Sequence, residues 1–108
     1  MNKKFLPFIS KIQECYNDIT YHNKTHGSDL AQSFYYMLTT CELRKKCDVT
    51  PLEVMSYVIA AGCHDVGHMG FNNAFHINKR DWIGTRYNDV SVLENYHAAT
   101  TFQILNME

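Results

Sequence analysis

Apolar residues recur along this chain at the three- and four-residue intervals of an amphipathic helix. No segment alternates apolar and polar residues between hairpin turns, so strands are not predicted. One helix is predicted over Lys4–Tyr16 and a second over about Thr25–Thr40. Their inner faces are expected to enter the core through Phe5, Phe8, Ile9, Ile12 and Tyr16 and through Leu30, Phe34, Met37 and Leu38. A loop is expected around Lys46–Asp48.

The third predicted helix has the clearest start signal. Thr50 can cap it, Pro51 suits its first position, and Glu53 completes a capping box. We expect this helix to bury five side chains, those of Leu52, Met55, Val58, Ile59 and Ala61.

Two further helices complete the predicted fold. A short one lies near Asn72–Asn78, and a last one reaches about Leu105 with Phe102 in the core. Ser91 and Glu94 have the spacing of a second capping box and are expected to open the last helix. The pattern therefore predicts an all-α fold, a bundle of several helices.

Length and composition limit this picture to one compact unit. The 108 residues allow one domain at most. Apolar residues make up 45% of the chain, aromatic residues 13% and charged residues 19%, which excludes intrinsic disorder. The net charge is -1, and the single basic cluster, Arg44–Lys46, is too short to indicate nucleic-acid binding.

The chain also lacks the signals of membrane insertion and of a disulfide framework. Its most continuous apolar stretch, Tyr57–Cys63, is far short of the roughly 20 residues that a membrane span requires. Its four cysteines contain no C-x-x-C pair, which argues against a zinc ribbon and a thioredoxin-type motif. A reducing, cytoplasmic setting is the expectation.

Candidate chemistry is concentrated in the histidines. Five of the six fall into three groups, which are His22 with His26, His64 and His68 around Asp65, and His97 three residues after Glu94. Histidines four residues apart share a helix face, and a mixed set of imidazoles and carboxylates suits a two-metal site. The sixth, His76, stands alone and is expected to be a surface or packing residue.

The segment His64–His68 carries the strongest of these signals. It follows a run that looks buried, where an unpaired Asp65 would cost several kcal/mol unless it met a metal or a hydrogen-bond partner. A buried, hydrogen-bonded His–Asp pair is the alternative. Gly67, between the histidines, indicates close backbone packing, as do the nearby Gly62 and Gly70. The segment is not a zincin motif, because Glu does not follow the first histidine.

Three segments together resemble one known family. Residues 21–32, YHNKTHGSDLAQ, resemble the Y-H-N-x-x-H-x-x-D-x-x-Q signature of class I cyclic-nucleotide phosphodiesterases. Residues 64–70, HDVGHMG, are similar to the family's H-D-x-x-H-x-G. Residues 87–95, YNDVSVLEN, are similar to its Y-N-D-x-S-x-L-E-N. The resemblance implies the all-α phosphodiesterase or HD-type bundle and covers the chain from residue 21 to about residue 105.

The resemblance implies hydrolysis of 3',5'-cyclic nucleotides to nucleoside 5'-monophosphates by a two-metal mechanism. His26, His64 and Asp65 would hold a first ion, usually Zn²⁺. Asp65 would also bridge to a second ion, usually Mg²⁺ or Mn²⁺. His22 would be the general acid that protonates the departing 3' oxygen.

Five further residues receive roles from the same resemblance. His68 and Glu94 would order water on the second ion, with His97 behind them, and Tyr21 and Asn73 would line the substrate pocket. Ordinary packing for Tyr21 and ordinary turn chemistry for Asn73 remain equally open.

Two positions and the length depart from the family pattern. The family usually has an acidic or amide residue at Gly67, and a histidine at Tyr96. Family catalytic domains also continue beyond this chain, with a further metal-binding Asp and the groups that recognise the base. Residues 1–108 are therefore expected to form part of a catalytic domain, inactive alone, that does not reveal whether cAMP or cGMP is preferred.

Two other interpretations remain open. Another HD-type phosphohydrolase would share the His–Asp doublet, although the other two motifs argue against it. A non-catalytic module would bind metal weakly, or would self-associate through core surface left uncovered.

Overall fold

The computed structural model describes residues 4–107, and this part of the chain contains helices and no strand. The helices are α1 Phe5–Cys15, α2 Lys24–Thr39, α3 Leu43–Lys46, α4 Pro51–Cys63, α5 Asn73–Lys79, α6 Trp82–Arg86 and α7 Val92–Leu105. The predicted all-α fold is confirmed, and the five predicted helices lie within about one residue of their expected ends. The short helices α3 and α6 were not predicted, and Lys46 lies in α3 rather than in a loop.

The closest helix pair is α2 with α4, and Gly27 makes that approach feasible. A Cβ atom at Gly27 would lie 2.6 Å from the Tyr16 hydroxyl oxygen and 3.2 Å from the Gly62 carbonyl oxygen. The same hydroxyl, from the residue that follows α1, donates a hydrogen bond of 3.0 Å to that carbonyl. Burial raises the pKa of Tyr16 to about 12, so the hydroxyl remains a donor. Three segments of the chain therefore meet at one point beside His26.

The core consists of two clusters on either side of the segment that follows α4. The first cluster contains Ile12, Tyr16, Cys63, Val66 and Ile104. The second contains Ile83, Val92 and Leu93, with Met69, Ile77, Tyr87 and Tyr96 packed against it. Val66 and Met69 therefore anchor one short segment in both clusters.

Five side chains predicted for the core are exposed instead. The exposed fractions are 41% for Phe5, 41% for Met37, 67% for Leu52, 52% for Met55 and 62% for Phe102. Their positions satisfy helical periodicity, but no other element in residues 4–107 covers these faces. Periodicity identifies an apolar face and does not identify what packs against it.

One predicted capping box is confirmed and the other is wrong. Thr50 accepts a hydrogen bond from the Glu53 amide, and the Glu53 carboxylate accepts one of 2.8 Å from the Thr50 amide. Ser91 has φ +43° and makes no capping bond through its side chain. Asn73, from α5, takes that place and accepts a hydrogen bond of 2.9 Å from the Leu93 amide. None of the described helices has the length and apolar character needed to cross a bilayer.

Candidate metal centre

Three predicted metal ligands converge between the start of α2 and the end of α4. The Nε2 atoms of His26 and His64 are 3.2 Å apart. Asp65 Oδ2 lies 2.9 Å from His64 Nε2 and 3.4 Å from His26 Nε2. All three residues are partly buried, so one side of the cluster remains open to solvent.

This donor set fits a zinc-type ion. A tetrahedral Zn²⁺ with bonds of about 2.0–2.1 Å separates its ligand atoms by about 3.3 Å, close to the spacing of these three atoms. Two imidazoles and one carboxylate are also the donor types that such an ion takes.

Local hydrogen bonds orient the ligands before any ion binds. His64 Nδ1 donates to the Ala61 carbonyl over 2.8 Å, which leaves the Nε2 lone pair facing the cluster. Asn23 caps α2 by accepting hydrogen bonds from the amides of Thr25 and His26. Its Nδ2 atom also donates to the Ile19 carbonyl over 2.8 Å, so one side chain fixes both sides of His22.

A second cluster uses the other oxygen of the same carboxylate. The ligand atoms of Asp65, His68 and His97 lie within 4.8 Å of one another. Asp65 Oδ1 faces His97 Nε2 at 3.8 Å. The Asp65 carboxylate therefore lies between two clusters and presents one oxygen to each.

The two histidines of this cluster offer opposite hydrogen-bonding groups. His97 Nδ1 donates to the Val66 carbonyl over 2.8 Å, which leaves a lone pair on Nε2. His68 Nδ1 accepts from the Gly70 amide over 2.9 Å, so the proton of its neutral ring is on Nε2. His97 thus presents an acceptor to the site, whereas His68 presents a donor suited to an ordered water.

Burial keeps both rings in the neutral form. It lowers the pKa of His68 to about 4, with a further contribution from the neighbouring His22. Burial also lowers the pKa of His97, against the opposing effect of its bond to the Val66 carbonyl. Each ring is less than a tenth exposed.

His22 and Tyr21 lie beside both clusters. The His22 ring stacks on His68 with centroids 4.0 Å apart and planes 12° from parallel. Tyr21 contacts the edge of His22 at 4.9 Å and the ring of His26 at 4.6 Å. Its side chain is 63% exposed, so it forms part of the open side of the site.

Asn73 and Glu94 form a hydrogen-bonded pair near His97, which lies three residues after Glu94 on α7. Asn73 Nδ2 donates to both Glu94 oxygens, at 3.3 and 3.0 Å, while its carbonyl oxygen caps α7. The backbone amide of Glu94 and the Asn73 side chain hold the pKa of this carboxyl below its usual range. Asn73 therefore orients Glu94, a role that its position in a glycine-rich segment did not reveal.

Sequence reasoning also missed Asn17. Its Nδ2 atom donates to the Gly67 carbonyl at 3.2 Å and to the His68 carbonyl at 2.9 Å, so it holds the loop that carries the ligands. In the sequence this residue only follows the first predicted helix, Lys4–Tyr16. No motif marks an amide whose partners are backbone carbonyls 50 residues away.

His76 lies outside both clusters and is a packing residue, which was one of the two alternatives predicted for it. It is 2% exposed and forms a 2.7 Å contact through Nδ1 with Asp81 Oδ2. Asp81 also caps α6 by accepting a bond from the Gly84 amide. The pair therefore connects the end of α5 to the start of α6.

The family model described as 3'5'-cyclic nucleotide phosphodiesterase matches residues 21–108. The chain is 39% identical over 104 residues to the 3',5'-cyclic-nucleotide phosphodiesterase regA of Dictyostelium discoideum. It is 40% identical over 94 residues to the human high affinity cGMP-specific 3',5'-cyclic phosphodiesterase 9A. These matches cover 95% and 87% of this chain but only 13% and 16% of the relatives.

Solved structures give the same result. The phosphodiesterase domain of the Salpingoeca rosetta rhodopsin phosphodiesterase matches with a TM-score of 0.82 and 36% identity. A second structure, of the phosphodiesterase domain of the same organism's RhoPDE fusion protein, matches with a TM-score of 0.84 and 35% identity. The matches cover 98% and 100% of this chain and 31% and 33% of those chains.

Proposed function

Because the chain belongs to the 3',5'-cyclic nucleotide phosphodiesterase family, we propose that it forms part of a catalytic domain that hydrolyses 3',5'-cyclic nucleotides to nucleoside 5'-monophosphates. Residues 1–108 would supply the metal-binding part of that domain. The chain spans about a third of each similar solved domain. On this proposal, sequence outside residues 1–108 forms the rest of the catalytic domain. On this proposal the 108 residues alone have little or no activity.

One observation carries the proposal, namely the position of Asp65 between the two clusters. Its Oδ2 atom lies with His26 and His64, whereas its Oδ1 atom faces His97. A carboxylate with one oxygen toward each cluster could bind both ions of a two-metal phosphoesterase, in which the ions lie about 3.5–4 Å apart.

The donor atoms suggest how two different ions would be held. We assign His26, His64 and Asp65 to a Zn²⁺ ion, because imidazole nitrogen dominates that cluster. The second ion would be Mg²⁺ or Mn²⁺, bound through Asp65 Oδ1 with water held by His68 and Glu94 and with His97 behind them. When bound, two such ions activate water at neutral pH and neutralise charge on the phosphate.

His22 is the proposed general acid. Its ring is held by stacking on the neutral His68 and by the Asn23 cap on α2. Within residues 4–107 no group is hydrogen-bonded to the His22 ring, so a ring N–H is free to face the substrate. A proton donated from this ring to the departing 3' oxygen would prevent the release of a poor alkoxide leaving group.

Tyr21 and Asn73 are proposed to line the substrate pocket on opposite sides. Tyr21 offers an exposed aromatic face beside His26. Asn73 is partly buried and already bonded to Glu94 and to the Leu93 amide. Its contribution to the pocket would therefore be to hold Glu94 in place.

A chimera would test the proposed function. This chain would replace the matching third of the Salpingoeca rosetta phosphodiesterase domain, and hydrolysis of cAMP and cGMP would be measured with Mg²⁺ or Mn²⁺. We expect hydrolysis of at least one cyclic nucleotide. His22→Ala should lower kcat by about 100-fold or more while the metal content, measured by elemental analysis, stays the same.

Lys24→Ala is the matched control, because Lys24 is exposed at the first residue of α2 and lies two residues from His22. It should leave kcat unchanged. A folded chimera that binds both ions but cleaves neither cyclic nucleotide would contradict the proposal. Cleavage of linear phosphate esters alone would favour the other HD-type phosphohydrolases.

The free thiols bear on where the protein acts. All four cysteines are unpaired, and Cys41 and Cys47 are exposed. Exposed thiols persist in reducing compartments, and we therefore propose a cytoplasmic location. Fractionation of cells that express the tagged full-length protein would test it.

A further inference from the structure

The ring of Tyr96 occupies the space beside Gly67 in which a side chain would lie. Gly67 is buried between the two histidines of the loop and has φ +77°. A Cβ atom at this position would lie 2.9 Å from both Cε1 and the hydroxyl oxygen of Tyr96. Carbon atoms in van der Waals contact are about 3.5–4.0 Å apart, so any side chain here requires the Tyr96 ring to move.

The Tyr96 ring is not free to move away. It packs against the cluster of Ile83, Val92 and Leu93. It also forms a T-shaped contact with the Trp82 ring, with centroids 5.7 Å apart and planes at 81°. Displacement of the ring would therefore disturb the second core cluster.

Both residues of the contact adjoin a histidine of the second cluster: Gly67 directly precedes His68, and Tyr96 directly precedes His97. Gly67 is flanked by Val66, whose carbonyl accepts the Nδ1 proton of His97, and by His68. The tyrosine ring therefore presses on the same loop that the His97 hydrogen bond attaches to α7.

The Tyr96 ring occupies the space of a side chain at position 67, so a residue larger than glycine there and a tyrosine at position 96 exclude each other.

We propose that Tyr96 is a positioning residue that, together with the absence of a side chain at Gly67, holds the His64–His68 loop against α7 and so fixes His68 and His97 at the second ion site. The expected effect on ion binding rests on the proposed two-metal function. The expected effect on the His97 hydrogen bond rests on the fold alone.

A double-mutant cycle tests the inference, with Gly67→Asn, Tyr96→His and the double variant. Asparagine is chosen because it tolerates positive φ, so steric conflict rather than backbone strain should dominate. The 108-residue chain would be titrated with Mn²⁺ in the presence of one equivalent of Zn²⁺, and free Mn²⁺ would be measured by electron paramagnetic resonance. The proton on His97 Nδ1 would be observed by ¹⁵N nuclear magnetic resonance.

Gly67→Asn alone should weaken Mn²⁺ binding by about 10-fold and broaden or shift the His97 Nδ1–H signal. The double variant should recover most of both, because histidine vacates the space that the asparagine needs. Tyr96→Phe should behave like the wild type, since the ring carbon Cε1 stays against Gly67 and no group in residues 4–107 is hydrogen-bonded to the Tyr96 hydroxyl. If Gly67→Asn does not fold, recovery of folding in the double variant supports the same coupling.

Two results would overturn the inference. One is a Gly67→Asn variant with wild-type Mn²⁺ affinity and His97 signal. The other is a double variant whose losses equal the sum of the single losses. If the wild type binds Zn²⁺ but no Mn²⁺, the proposed two-metal function fails, while the His97 Nδ1–H signal across the same variants still decides the inference.

Discussion

At the scale of single residues, the site is organised by which nitrogen of each histidine carries the proton. Backbone carbonyls accept the Nδ1 protons of His64 and His97, so their Nε2 atoms face Asp65 as acceptors. The Gly70 amide imposes the opposite form on His68. The metal-free chain is therefore already arranged to offer lone pairs at two rings and an N–H at the third.

The buried histidines make stability dependent on pH. The pKa of His68 falls from 6.5 in the unfolded chain to about 4 in the folded chain, and the pKa of His97 is also lowered. The unfolded state therefore binds more protons between these values. The free energy of unfolding should be full above about pH 6.5 and should decrease as the pH falls toward 4.

Urea unfolding of the metal-free chain between pH 7 and pH 4 would measure this effect. His68→Asn should give a shallower loss over the same window, because it removes the titrating ring and places Oδ1 near the position of Nδ1 as an acceptor for the Gly70 amide. Equal slopes in the two proteins would show that His68 contributes nothing.

Asn73 gives a second prediction at this scale. Asn73→Ala removes both the cap on α7 and the hydrogen bonds to Glu94. We expect a loss of about 1 kcal/mol in the free energy of unfolding and weaker binding of Mn²⁺. Calorimetric titration with Mn²⁺ would measure the second effect.

Asn72→Ala is the matched control for this prediction. Asn72 caps α5 by accepting a bond of 2.9 Å from the Phe75 amide and has no contact with Glu94 in the described structure. It should cost a similar amount of stability and leave Mn²⁺ affinity unchanged. Equal Mn²⁺ affinities in the two variants would remove Asn73 from the site.

The sequence identified the residues of the clusters better than the residues that support them. His26, His64 and Asp65 belong to motifs whose spacing survives in the chain itself. Asn17 and Asn73 act on backbone groups that are distant in sequence, so nothing in their local pattern indicates the partner. The structure brings the predicted ligands together in two clusters that share Asp65. The catalytic roles of these residues stay predictions.

At the scale of helices, the position of His26 depends on the approach of α2 to α4. Gly27→Ala would place a Cβ atom 2.6 Å from the Tyr16 hydroxyl oxygen. We expect a loss of about 1–3 kcal/mol in the free energy of unfolding, as for other overpacked sites. Because Gly27 adjoins His26, Zn²⁺ affinity should also fall when measured by competition with a chelator.

Gly62→Ala provides the comparison for this prediction. It lies in α4, and the nearest atom to its added Cβ is that of Ala31 at 3.9 Å, an ordinary contact. Alanine is the better helix former, so stability should be unchanged or should rise by up to about 1 kcal/mol. Equal effects at the two glycines would mean that α2 and α4 do not approach as described.

The helices that periodicity predicted are those long enough to show it. The two that it missed, α3 and α6, have 4 and 5 residues, little more than one turn each. The wrong capping box at Ser91 has a different cause. The Ser91 side chain makes no capping bond, and Asn73 caps α7 instead through the Leu93 amide, a tertiary contact that no local pattern contains.

At the scale of the whole molecule, apolar side chains remain uncovered on several helix faces. The residues more than half exposed include Tyr35 and Tyr36 on α2 and Leu52 and Met55 on α4. Exposed apolar surface of this kind favours association. We expect the isolated 108-residue chain to associate with itself as its concentration rises, which sedimentation velocity would measure.

A variant with Leu52→Lys and Met55→Lys should associate less and should bind Zn²⁺ as the wild type does, because neither residue touches the clusters. Unchanged sedimentation in this variant would exclude the face of α4 as the cause. Periodicity alone does not indicate which predicted core residues are left exposed, because burial also depends on what packs against each helix.

The short segment after α4 connects the scales. Val66 lies in one core cluster and Met69 packs against the other, with the candidate ligands between and beside them. An ion bound at Asp65 would therefore stabilise the packing of both core clusters against this segment. A mutation that loosens either cluster should in turn make the ion dissociate faster.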